Sequence, residues 1–305
     1  MRFAVILNRG GGTLRSLDLG EFAGKMTDML RTAGHEAEVE IIDGEELMDM
    51  LDRAVARADL DVVMIGGGDG SVSAAAGRLM DTDKALAVLP AGTMNLFARS
   101  LAIPLQLDAA VEALSGGVIR PVDIASANGK AFVHQFSIGM HPKLIRLREQ
   151  MEFRSRWGKI HASVKAAIDT LRAPPRMRVQ LTIDGEEHER STNGIGVTNN
   201  LFGEGHLPYA DDPDGGRLGV YVSVARGRRE LAKFFLNMAV GRWEANDQVD
   251  IFEAEEVIIK VRSAHKRTGC AVDGELCGLS AETTLRIHKK ALKVLVPSDQ
   301  GGPKP

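Results

Sequence analysis

The string Gly66-Gly67-Gly68-Asp69-Gly70-Ser71 lies between the apolar run Val62-Val63-Met64-Ile65 and the small residues Val72-Ser73-Ala74-Ala75. Glycines carry no Cβ, so a phosphate can approach the main chain closely. At a strand-to-helix junction the first N–H groups of the helix point at that phosphate along the positive end of the dipole. Asp69 adds a second requirement. A carboxylate among phosphates is repulsive unless a divalent cation lies between them, so the string points to a magnesium-bridged nucleotide. A glycine-rich turn with an aspartate cap has the same composition and stands as the plain alternative.

Two further loops share this character. Asn8-Arg9-Gly10-Gly11-Gly12-Thr13 follows the apolar run Phe3 to Leu7, and Pro90-Ala91-Gly92-Thr93-Met94-Asn95 follows Ala85 to Leu89. The intervening elements are legible as periodicity. Phe22, Met26, Met29 and Leu30 fall at helical spacing, residues 37–42 alternate like a strand, and Leu47, Leu51 and Val55 mark another helix. Strands alternating with helices imply right-handed crossovers and a mainly parallel sheet. All its strands then end on one edge, where α/β proteins bind ligands, so the three loops are expected as neighbours there. Thr93 offers a hydroxyl to phosphate, and Asn8 and Asn95 each offer a donor and an acceptor. The same residue types serve equally as ordinary helix caps.

The totals set the class. A chain of 305 residues favours two domains. Its 44% hydrophobic and 26% charged residues are globular, and a formal net charge of -3 argues against a nucleic-acid partner. Cys270 and Cys277 are too few for a disulfide framework or a zinc site, and free thiols in a cytoplasmic protein are the expectation. The apolar opening stops at Asn8, too short for a signal peptide. No apolar run approaches the roughly 20 residues that span a bilayer, so membrane contact is expected to be peripheral.

From Val122 the pattern becomes β-rich and antiparallel. Residues 122–127 and 131–138 flank Asn128-Gly129, and Met177 to Ile183 precedes Asp184-Gly185, both strong hairpin signals. Between them, residues 141–176 hold nine Lys or Arg against three acids, with Trp157, Ile160, Val164, Ile168 and Leu171 on one helical stripe. Such a segment, 143–176, can lie on anionic lipid or pack on the sheet with a solvated basic face. Asn199-Asn200 leads to a glycine-bearing stretch ending in Asp211, Asp212 and Asp214, a set of oxygen ligands or an ordinary turn. Asp-Gly-Glu occurs three times, at Asp43, Asp184 and Asp273, and is a turn signal first.

GGGDGS, followed roughly twenty residues later by LPAGTMNLFA, resembles the catalytic domain of the diacylglycerol kinases and sphingosine/ceramide kinases, including the bacterial soluble lipid kinases. The resemblance spans most of the chain and implies ATP, magnesium and transfer of the γ-phosphoryl group to a lipid hydroxyl. It assigns the nucleotide to Asn8, Gly66, Gly67, Gly68, Asp69, Gly70, Ser71, Gly92, Thr93 and Asn95. Asp273 is implied as acceptor of the hydroxyl proton, Asp69 and Glu275 as catalytic residues acting through magnesium, and Asp211 and Asp214 as ligands of a structural magnesium.

The expected fold is an α/β N-terminal domain with a mainly parallel sheet, of NAD kinase/diacylglycerol kinase-like type, over 1–121. A β-rich antiparallel sandwich for the lipid substrate follows over 122–290, and 291–305 return as a strand to the first domain and end in a loose tail. The expected partners are a lipid, a peripheral membrane surface met from the cytoplasm, and a second copy of the chain. Two rivals share parts of this pattern. NAD kinase has the Gly-Gly-Asp-Gly element and the two-domain plan, although its Asn-Glu motif has no clear counterpart here. A nucleotide-binding regulator without chemistry would not need Asp69, Asp273 and Glu275 together.

Overall fold

The computed structural model describes residues 1–149, 174–264 and 268–298. The chain forms two units, one of residues 1–124 and 288–305, the other of residues 125–287. In the first, strands β1 (Arg2–Asn8), β2 (Glu36–Ile42), β3 (Val62–Gly67) and β4 (Ala85–Pro90) stand in the order β2-β1-β3-β4, all parallel. Every residue of β3 and β4 is buried, as continuous apolar runs between two helical layers require. Helices α1 (Leu19–Thr32), α2 (Leu47–Ala56) and α3 (Asp69–Leu79) supply the crossovers, and α4 (Leu96–Ser100) and α5 (Leu107–Ser115) follow β4.

The starts of α1 and α2 have local causes. Asp18 caps α1 by accepting from the N–H groups of Gly20 and Glu21. Asp43 and Glu46 form a capping box just before α2. In α3 the buried residues Val72, Ala75, Ala76 and Leu79 repeat at helical spacing and face the sheet. Full burial of Leu79 contributes about 1.5–3 kcal/mol.

The second unit is a two-sheet antiparallel sandwich. One sheet pairs β8 (Met177–Ile183) with β9 (Glu186–Thr192) and β13 (Glu256–Ala264), and β13 with the start of β16 (Glu282–Val296). The end of β5 (Val118–Ala127) pairs with β6 (Lys130–Phe132). The other sheet runs β12 (Val249–Ala254), β11 (Leu218–Ser223), β10 (Gly194–Asn199), β7 (Gln135–Gly139), β14 (Cys270–Val272) and β15 (Glu275–Cys277). Phe132, Phe136, Ile138, Leu181, Val197, Val220, Val257 and Leu285 interdigitate in its core. Two helices, α6 (Met140–Glu149) and α7 (Arg228–Ala239), complete the described part of this unit. The far end of β16 pairs in parallel with β4, Lys293 with Ala85 and Val294 with Leu86, so this strand returns to the first unit.

Residues 131–138 read in sequence as one strand, but they form β6 and β7 in different sheets, with Val133 and His134 at the crossing. A strand that changes sheets takes its N–H groups out of one ladder before entering the next, and buried N–H groups need acceptors. Asp273 supplies them here. Its Oδ2 accepts from Val133 N at 2.9 Å, and its Oδ1 from His134 N at 3.0 Å and Gln135 N at 2.8 Å. The crossing from β12 to β13 is held the same way, with Asp184 Oδ1 accepting from Glu255 N at 2.8 Å and Glu256 N at 3.0 Å.

The thiols differ from expectation. Cys270 and Cys277 are joined as a disulfide with Cα atoms 5.2 Å apart, because the antiparallel register of β14 and β15 sets them directly opposite one another. Compartment and cysteine count do not register that pairing. The stripe from Trp157 to Leu171 lies outside the described residues. Among the described residues, no helix is long and apolar enough to cross a membrane.

Candidate functional site

In the first unit, the three glycine loops meet main chain to main chain. Thr13 N donates to Ala91 O at 2.8 Å, and Asn8 Nδ2 donates to Ser71 Oγ at 3.1 Å. A Cβ on Gly11 would stand 3.1 Å from the Cα of Gly67, and one on Gly92 would stand 3.1 Å from the Cα of Gly68 and 2.8 Å from Asn95 Oδ1. Side chains at these positions would push the loops apart. The parallel topology alone brings Asn8, the Gly66–Ser71 string and Gly92 to one edge.

Asp69 and Asn95 lock the edge together. Asp69 is the first residue of α3, and its carboxylate accepts from Asn95 N at 3.3 Å and Leu96 N at 3.0 Å, tying the start of α3 to the start of α4. Asn95 adopts the left-handed conformation, φ 50°, which suits its short polar side chain. Its Oδ1 accepts from Gly92 N at 2.8 Å and its Nδ2 donates to Gly92 O at 3.0 Å. Thr93 is exposed on the same loop. Gly68, the residue before α3, has no side-chain cap, and a Cβ built on it meets nothing within 4 Å. An uncapped helix start beside open space is a cradle of the kind phosphate takes.

In the second unit, Asp273 and Gly274 form the tip of the β14–β15 hairpin, with φ 45° and 85°. Asp184 and Gly185 repeat these values, 45° and 91°, at the tip of the β8–β9 hairpin. The two Asp-Gly-Glu turns therefore share backbone geometry and the same clamping of a strand crossing. A carboxylate offers about four acceptor directions, and at Asp273 three of them are taken by N–H groups. Glu275, just beyond the tip, is exposed and pairs loosely with Lys130 at 3.9 Å. At Asp184, burial works against the charge, but the N–H groups of Glu256 and Glu255 and the Arg217 guanidinium outweigh it and hold the carboxyl below its ordinary value.

Asp211 faces His206, Nε2 to Oδ1 at 3.1 Å, and Asp212 Oδ1 accepts from Asp214 N at 3.2 Å in a local turn. Among the described residues, no group of three or more His, Cys, Asp or Glu side chains is placed to share a metal ion.

Sequence reasoning missed an apolar cavity of about 310 Å³ within the second unit. Met140, Phe202, Phe234, Phe235, Met238 and Trp243 wall it, and the residues of β7, β10 and β11 form its floor. The signal for one wall was present, because Leu231, Phe234, Phe235 and Met238 are spaced as one face of α7. The floor residues come from strands distant in sequence.

Residues 2–127 match the family model described as "Diacylglycerol kinase catalytic domain", and residues 137–296 match "YegS C-terminal NAD kinase beta sandwich-like domain". A Staphylococcus haemolyticus protein named "Putative lipid kinase" is 22% identical over 289 residues, covering 91% of each chain. A protein of the same name from Staphylococcus epidermidis is 23% identical over 250 residues, 80% of this chain and 79% of that one. A crystal structure titled as a diacylglycerol kinase from Bacillus anthracis superimposes with a TM-score of 0.73 at 18% identity, covering 97% of both chains. At that identity the superposition speaks for the fold.

Proposed function

We propose that this chain, which belongs to the family of diacylglycerol kinase catalytic domains joined to a YegS-type C-terminal domain, is an ATP-dependent lipid kinase. It passes the γ-phosphoryl group to a hydroxyl of a neutral lipid of diacylglycerol or ceramide/sphingoid type, working from the cytoplasm at a membrane surface. The observation that carries the proposal is the meeting of three glycine loops beside the uncapped start of α3. That arrangement offers main-chain N–H groups to phosphate and no side chain to obstruct it.

Phosphoryl transfer asks a protein chiefly for alignment and neutralisation of charge. Gly66 to Ser71, Gly92 and Thr93 are assigned to the phosphates, while Asn8 and Asn95 hold the loops in register through the bonds described above. Asp69 and Glu275 are each carried as a candidate carboxylate for magnesium. Magnesium held there with the nucleotide would supply neutralisation of charge on the phosphoryl oxygens. Asp211 and Asp214 are carried as candidate ligands of a second, structural ion. Asp273 is assigned to receive the hydroxyl's proton, a role additional to its clamping of the β6–β7 crossing.

The test is incubation of the purified protein with labelled ATP and magnesium against diacylglycerol, ceramide, a sphingoid base, phosphatidylglycerol and NAD, followed by identification of the product. A labelled lipid phosphate is expected. NADP as the product would move the chain to the nucleotide kinases. ATP binding without any product would make it a regulator.

A further inference from the structure

The cavity in the second unit is walled mainly by apolar side chains, and among the described residues it holds one connected polar cluster. Ser137 Oγ lies 2.7 Å from His141 Nδ1, and Gln135 Nε2 lies 3.3 Å from the same nitrogen. All three side chains line the cavity. With the amide nitrogen placed toward His141, Nδ1 is the acceptor that Gln135 Nε2 and the closer Ser137 hydroxyl share, and this cluster holds the Gln135 amide in place. With one N–H spent on His141, that amide keeps an acceptor oxygen and a second donor, the pair that a hydroxyl group requires.

The backbone of Gln135 is fixed independently. Its N–H donates to Asp273 Oδ1 at 2.8 Å and its carbonyl accepts from Asp273 N at 2.8 Å. The residue that presents an amide to the cavity is thus bound at both main-chain groups to the aspartate at the hairpin tip. Among the described residues, the cavity lining contains no Asp, Glu, Lys or Arg. A protonated amine placed there would lose its hydration without gaining a counter-charge, a cost that an uncharged hydroxyl avoids. Ser223 and Trp243 belong to the same lining, and their Oγ and Nε1 atoms are buried with no hydrogen-bond partner among the described residues.

We propose that Gln135, propped by His141 and Ser137, is a specificity-determining residue that selects an uncharged, hydroxyl-bearing acyl lipid over a long-chain amine and orients its headgroup beside Asp273. As a statement about substrate it rests on the lipid-kinase reading; as a statement about binding it stands alone.

The experiment measures binding to the full chain without nucleotide, using a fluorescent diacylglycerol and a fluorescent long-chain amino alcohol of matched length in neutral detergent micelles. The wild type is expected to prefer the diacylglycerol. Gln135→Glu, which adds a counter-charge for an amine, should reverse that preference by about tenfold or more, and Gln135→Leu should weaken diacylglycerol. His141→Phe serves as the second variant if Gln135→Glu fails to fold, and should weaken diacylglycerol alone. If phosphorylation is observed, Gln135→Leu should raise the KM for lipid and leave that for ATP unchanged. Equal wild-type affinity for the two probes, or unchanged preference in folded Gln135→Glu and His141→Phe, would overturn the proposal. Selective binding without phosphorylation would overturn the kinase reading and leave this one standing.

Discussion

Gln135 and Asp273 are joined by a reciprocal pair of 2.8 Å hydrogen bonds, Gln135 N to Asp273 Oδ1 and Asp273 N to Gln135 O. This link holds the start of β7 against the tip of the β14–β15 hairpin. A substitution at Asp273 therefore acts on a structural clamp as well as on any chemistry.

Asp184 allows those two contributions to be separated. Its turn has the same backbone geometry and its carboxylate clamps the other crossing. Asp273→Asn and Asp184→Asn are each expected to lower stability by about 1–3 kcal/mol, since an amide cannot replace every carboxylate acceptor. Only Asp273→Asn should also remove most turnover. Denaturant unfolding and turnover measured on the same preparations check this. Equal losses of turnover in both variants would reduce Asp273 to a clamp.

Neighbouring glycines give opposite expectations. A Cβ on Gly67 would stand 2.7 Å from both the Cβ and Oγ of Ser71, so Gly67→Ala should destabilise by about 1–3 kcal/mol. Gly68 has φ -82° and open space beside it, so Gly68→Ala should fold with an unchanged midpoint. Its new methyl would occupy the proposed phosphate cradle, weakening ATP by on the order of tenfold, about 1.4 kcal/mol. Calorimetric titration with ATP decides; unchanged affinity would move the phosphates elsewhere.

The Cys270–Cys277 bond closes the hairpin that carries Asp273. For a loop this short the chain-entropy model gives about 2.5 kcal/mol of stabilisation. Thiol titration of the denatured, unreduced protein should find neither cysteine free. Replacement of both by serine should lower the unfolding midpoint in denaturant, and an unchanged midpoint would mean that the sandwich alone orders the turn.

Burial pushes the Tyr221 phenol well above its ordinary value, overcoming the opposing hydrogen bond from Phe202 N to its hydroxyl oxygen. Unfolded tyrosine ionises near pH ~10. Because the folded state holds this proton more tightly, its contribution to stability is whole below that pH and is lost as pH rises toward the folded value. In a Tyr209→Phe background, phenolate absorbance should appear together with alkaline unfolding. Reversible ionisation near pH ~10 with the fold intact would contradict the burial.

The parallel half of the fold was legible because its signals are local. Continuous apolar runs made β3 and β4, glycines marked their ends, and parallel topology required those ends to share an edge. The family and its kinase character were likewise readable in GGGDGS and LPAGTMNLFA. Tertiary structure decided what depends on register between distant strands. It split residues 131–138 across two sheets, set Cys270 opposite Cys277, and gave Asp184 and Asp273 the same clamping work despite their different places in the chain. It also gathered Gln135, Ser137 and His141 into a cavity whose other walls lie up to about a hundred residues away. A side chain's type and neighbours in sequence determine which bonds it can make; only the packing of the sheets determines which N–H groups and cavities it meets.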